Sequence, residues 1–130
     1  MLLYCGPSHP LFAAEDVPTD WDGLRGQPFA GLGYHSPNME VSQQLRLARK
    51  ATGYDQEAIA TLILSGAFLG FLPDHYAQSF VRAGQMRPVN AAVFRYSCQF
   101  FAIARRSPQP GRATRAFWDC LAAAHATAKT

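Results

Sequence analysis

The sequence predicts an α/β fold in which helices cover a mixed sheet, and three observations predict it. Residues 55–84, DQEAIATLILSGAFLGFLPDHYAQSFVRAG, run without a break through a helix pattern, a glycine stop, a short apolar segment, a proline and a second helix pattern. The apolar segment, Ala67 to Leu72, is bounded by turn residues, as a strand buried on both faces requires. Helical spacing and strand-like alternation also take turns along the whole chain, whose 130 residues suit one domain able to bury roughly 65% of its unfolded surface.

In chain order, Leu2 to Cys5 reads as a strand, Gly6 to Trp21 as a loop holding a His9-Pro10 turn, Asp22 to Gly26 as one helical turn, and Pro28 to Gly33 as a second strand. A short helix is expected from about Asn38, with Ser36 and Asn38 as caps, Pro37 in its first turn, and Val41 and Leu45 four apart. Leu47, Arg49 and Ala51 alternate with Ala48, Lys50 and Thr52, so a strand should lead into the Gly53-Tyr54-Asp55 turn. Asp55 caps the next helix, Glu57 sits in its positive first turn, and Ile59, Leu62 and Ile63 form its apolar face before Gly66 stops it. Pro73 suits the first position of the following helix, whose stripe is Tyr76, Ala77, Phe80 and Val81 and whose stop is Gly84. From Phe94 to Ala104 the even positions are apolar throughout, which suggests a long strand, and Ala113, Ala116, Phe117, Cys120, Leu121 and Ala124 give the stripe of a final helix.

The order helix, Gly-x-x-x-Gly, strand, Leu-Pro, helix, Gly resembles the effector-binding domain of LysR-type bacterial transcription regulators. Further likenesses follow in order: MLLYCGPSHPLF at residues 1–12, WDGLRGQPFAGLG at 21–33, the strand after Gly84, the strand 94–104 and the Ala116-Phe117 pair of the last helix. The resemblance implies a three-layer α/β bivalve fold of the type II periplasmic-binding-protein kind. It implies that residues 1–130 are an effector-binding domain fragment, a truncated reading frame or excised piece. About 6–93 would form a complete second subdomain, with 1–5 and 94–130 as hinge strands and the tail of a partial first subdomain. It also implies small-molecule sensing in a cleft between subdomains, in the cytoplasm, with DNA reached only through a winged helix-turn-helix absent from this chain.

Composition narrows the alternatives. Apolar residues make up 48% and charged residues 16%, which excludes a disordered chain, and the apolar runs are too short to span a bilayer. MLLYCG lacks the basic start and long apolar core of a secretion signal. The net charge of +3 is scattered over separate arginines, without the aromatic interleaving of a nucleic-acid patch, so operator-strength DNA binding is not expected of this chain alone. Cys5, Cys98 and Cys120 are spaced like reduced core thiols, not a disulfide framework. His9, His35, His75 and His125 are each explained by turns or helix ends, so neither a zinc site nor another cofactor is expected. No Gly-x-Ser-x-Gly nucleophile accompanies Asp74 and His75, so no catalytic triad is expected.

GLGYHS at 31–36 imitates the start of a dinucleotide fingerprint, but Ser36 replaces the third glycine. The same physics serves a looser purpose, because glycines let the backbone approach a ligand and a helix start offers amide donors. Gly33, Tyr34, His35 and Ser36 are therefore effector-binding candidates, and Phe71, Leu72 and Pro73 join them because open α/β sheets place ligands where a strand ends and a helix begins. Tyr96 and Cys98 are candidates on the hinge side. The expected function is sensing of a small, acidic or aromatic effector by a non-enzymatic domain that self-associates. The alternatives are a solute-binding or enzymatic protein on the same scaffold, or a dimerisation remnant without a ligand.

Overall fold

The computed structural model describes residues 1–34, 44 and 46–126. They fall into two compact units, Met1–Gln99 and Phe100–Thr130. The first unit holds strands β1 (Leu2–Cys5), β2 (Pro28–Leu32), β3 (Ala48–Gly53), β4 (Leu69–Leu72) and β5 (Arg87–Pro88), helices α1 (Gln56–Leu64) and α2 (Asp74–Arg82), and a 3-10 turn at Asp22–Leu24. The second holds helix α3 (Arg112–Ala126). The helix expected from Asn38, with Ser36, Pro37, Val41 and Leu45, lies outside the described residues.

The five strands form one sheet in the order β3-β2-β4-β1-β5. β2 runs parallel to β3 and β4, whereas β1 is antiparallel to β4 and β5. The sheet is therefore mixed, as expected, and the carboxyl ends of β2, β3 and β4 share one edge. Strand alternation divides the core into two faces. Leu3, Cys5, Phe29, Leu69 and Phe71 pack on one face with Leu24, Val89 and Phe94, against which Leu11, Phe12 and Trp21 of the long loop are pressed. Tyr4, Ala30 and Leu72 pack on the other, under Ile59, Ala60 and Ile63 of α1 and Ala77 of α2.

The local reasons are legible residue by residue. Asp55 caps α1, its carboxylate accepting from the Ala58 N–H at 2.7 Å. Gly66 and Gly84 end α1 and α2 with positive φ of 76° and 70°. Pro73 has φ −57° and ψ 135° and so stands one position earlier than expected, as the N-cap of α2, with Asp74 opening the helix. His9 is buried, and its Nδ1 accepts from the Leu11 N–H at 3.2 Å, closing the His-Pro turn. Burial lowers the pKa of this imidazole below its ordinary value, which keeps the nitrogen available as an acceptor.

Three expectations are corrected. The alternation of Leu47, Arg49 and Ala51 on one face is broken by a register shift: Phe29 pairs with Arg49 but Ala30 pairs with Ala51. Lys50 is the extra residue, so Arg49 and Ala51 go to opposite faces. The long strand from Phe94 to Ala104 does not form. Residues 94–96 bind the exposed flank of β1 through Leu3 N–H to Phe94 O (3.1 Å) and Tyr96 N–H to Met1 O (3.1 Å), giving a single bridge, Leu2 to Arg95. β5 already occupies β1 at Tyr4 and Cys5, so this flank offers the segment only Met1 to Leu3. Beyond it Phe101 is 73% and Ile103 91% exposed. The thiols also differ from expectation, since Cys5 alone is buried, with Cys98 half-buried and Cys120 exposed. Burial pushes the Cys5 thiol up to about 11, against the opposing pull of Arg87.

Gly70 sets how closely α1 approaches the sheet. A Cβ there would stand 2.9 Å from Ile63 Cδ1 and 3.1 Å from Ile59 Cγ2. Gly70→Ala is expected to lift α1 and lower stability by about 1–3 kcal/mol through overpacking, measured by urea denaturation. An unchanged midpoint would show that α1 does not depend on this contact.

Candidate functional site: a crevice between two parallel strands

β2 and β4 are neighbours only in part. Their ladder pairs Phe29 with Leu69 and Ala30 with Gly70 and then ends. β2 continues to Leu32 on β3, and β4 continues to Leu72 on β1. The sheet therefore splits at the carboxyl ends of two parallel strands. It does so where β3 and β4 lie on opposite sides of β2, the switch point at which open α/β sheets leave a ligand crevice.

Met1, Phe29, Leu32, Ile59, Phe71 and Tyr96 line this crevice together with Ala30 and Gly31. Its volume is about 20 Å³, room for little more than one water-sized group. Three of its walls are rings, and they meet at Phe71. Phe71 meets Tyr96 edge-on at 5.0 Å, Phe29 edge-on at 5.9 Å and Trp21 at 6.2 Å, and Trp21 in turn meets Phe94 at 4.8 Å. Two side chains hold the loop that carries Trp21. Arg87 Nη1 donates to Phe12 O (2.7 Å) and Ala14 O (3.1 Å), and Asn90 Nδ2 donates to Pro18 O at 3.1 Å.

Of the expected site residues, Phe71 and Tyr96 line the crevice. Burial, and then Cys98 and Tyr34 as further negative neighbours when ionised, push the Tyr96 phenol up to about 12. Tyr34 and Cys98 thus stand close enough to act on Tyr96. Gly33 follows β2, its N–H donating to Gly53 O at 2.8 Å, and a Cβ on it would lie 2.8 Å from the Tyr54 ring. Gly33 and Tyr34 are exposed at the carboxyl edge, beside the crevice and not among its walls. Leu72 is fully buried on the opposite face, because alternation turns it away from Phe71 and under the helices, and Pro73 is buried at the start of α2. Neither lines the crevice. His35 and Ser36 lie outside the described residues.

Sequence reasoning missed Phe29, Leu32, Ile59 and Met1. Ile59 was read as core, which it also is. Met1 enters only because residues 94–96 fold back on it.

A family model, the LysR substrate binding domain, matches residues 1–126. The chain belongs to the LysR substrate-binding domain family. A relative is the HTH-type transcriptional activator BauR of Pseudomonas aeruginosa, 31% identical over 120 residues that make up 92% of this chain and 39% of BauR. The chain thus spans about two fifths of that relative. Family membership carries the periplasmic-binding-protein-like α/β fold and a ligand-sensing regulatory role, and the relative is named as a transcriptional activator. Among the described residues no group of three or more potential metal ligands occurs, and no helix is long and apolar enough to cross a membrane.

Because the folded phenol of Tyr96 titrates above its ordinary 10.0, its contribution to stability is complete below pH 10 and is lost as pH rises through about 12. Tyr96→Phe is expected to move the alkaline unfolding transition to higher pH in a far-UV circular dichroism titration. A transition at the same pH would place the phenol in water.

Proposed function

We propose that residues 1–130 are the sensing part of a LysR-type transcription regulator and that the crevice between β2 and β4 receives one end of a small-molecule effector. The observation that carries this reading is the early end of the β2–β4 ladder, which opens a ring-walled crevice at the carboxyl ends of two parallel strands. Residues 6–93 act as the second subdomain, and 1–5 and 94–130 as hinge strands and the tail of the first. Effector binding shifts the balance between two arrangements of subdomains in the cytoplasmic regulator, with no bond made or broken. DNA is reached through a domain outside these residues. Gly33, Tyr34 and Cys98 rim the site around Phe71 and Tyr96. Leu72 and Pro73 support it from beneath.

Trp21 packs on Phe71, so its fluorescence reports on the crevice once Trp118→Phe has removed the other of the two tryptophans. Titration with short-chain and aromatic carboxylic acids and their amides is expected to give a saturable change. Phe71→Leu should weaken it and Arg82→Ala should not. Absence of any response, or equal affinity in folded Phe71→Leu, argues against the crevice as the site.

We also propose self-association through α3. No residue of α3 is buried, and Phe117 is 65% exposed on the stripe with Ala113, Ala116, Leu121 and Ala124. Burying that stripe against a second copy would recover free energy at about 25 cal/mol per Å². Sedimentation should show dimers that form with rising concentration and are weakened by Phe117→Asp. A monomer at every concentration contradicts it.

A further inference from the structure

Arg49 stands where a charge is available to the crevice without being buried in it. It lies on β3 opposite Phe29 of β2, and the extra residue Lys50 keeps it on the Phe29 face while Ala51 takes the face of Ala30. Gly31, a wall of the crevice, supplies the space. A Cβ there would sit 2.9 Å from Arg49 Cδ and 3.2 Å from Phe29 Cε1, so the arginine stem and the Phe29 ring meet over a bare patch of backbone. Arg49 Nη1 then donates to the carbonyl oxygen of Leu32, another wall residue, at 3.3 Å. That bond orients the guanidinium beside the crevice while the side chain stays exposed. Among the described residues no carboxylate pairs with Arg49, and no acidic side chain lines the crevice. The walls themselves are apolar apart from the Tyr96 phenol, which is neutral at physiological pH.

We propose, on the reading of the crevice as the effector site, that its ligand is a small monocarboxylic acid with an apolar tail, the tip of the tail entering the crevice beside Phe29, Phe71 and Tyr96 and the carboxylate resting on Arg49 at the rim. A carboxylate inside the ring-lined crevice would lose its hydration without a partner, whereas at the rim it keeps water and gains a charge-assisted hydrogen bond. One oriented guanidinium selects one carboxylate. Gly31 is a positioning residue for it, because any side chain there displaces the arginine stem.

The test is a pair of ¹H–¹⁵N chemical-shift titrations at low salt with butyrate and its neutral isostere butyramide, reading the amides of Gly31, Leu32 and Phe71. Butyrate is expected to bind about tenfold more tightly than butyramide, the size of one charge-assisted bond. Arg49→Gln should erase that ratio, and Gly31→Ala should reduce it by moving Arg49. Equal affinities in the unmodified chain, or a ratio that survives Arg49→Gln, overturn the proposal while leaving the crevice as a ligand site. If neither probe moves these amides, the crevice reading falls and the role of Arg49 falls with it.

Discussion

The missing side chain at Gly70 is the constraint on which both the fold and the crevice depend. β4 is the central strand, and at this position α1 sits directly on it, with Ile59 and Ile63 filling the space a Cβ would take. A second close approach repeats the device, since a Cβ on Gly6 would run into the Ile63 carbonyl oxygen. Interiors are packed closely enough that such contacts transmit displacement instead of absorbing it. Gly70 is also the last residue of β4 paired with β2. The helix is therefore seated at the level where the sheet begins to split, which brings Ile59 to the wall of the crevice while it remains in the core.

The other wall is aromatic, and its order comes from residues far away in sequence. Phe71 alone could adopt several rotamers, but Trp21, Phe29 and Tyr96 each contact its ring. Trp21 is held because Arg87 and Asn90 bind carbonyl oxygens of the loop before it, and Tyr96 is held because its backbone exchanges bonds with Met1 at 3.0 and 3.1 Å. A polar side chain used only to pin a loop thus contributes to the shape of an apolar site. Preorganisation of this kind lowers the ordering cost of binding.

Charge is kept at the edges of this arrangement. The ring-lined space excludes it, the parallel edge offers backbone, and Arg49 lies flat on Gly31 at the boundary between the two. The register shift at Lys50 matters because regular alternation would have placed Arg49 and Ala51 on the same face. One extra residue in an edge strand thereby decides which face Ala51 covers and leaves Arg49 beside the rings.

What the sequence determined by itself is local. Asp55, Gly66, Pro73 and Gly84 punctuate the chain through capping and backbone freedom, and these effects act over a few residues wherever the segment ends up. The four-residue burial of β4 followed from its unbroken apolar run, and family likeness was carried by the order of such signals. Tertiary structure alone decided the rest. Whether 94–104 became a strand depended on how much of the β1 flank was open to it, a quantity absent from its own alternation. Leu72 and Phe71 are equally apolar, yet only the pleat relative to α1 determines which one meets the crevice. The β2–β4 split arises because each strand finds a better partner on its far side, and competition between distant ladders leaves no mark in the residues that lose the pairing.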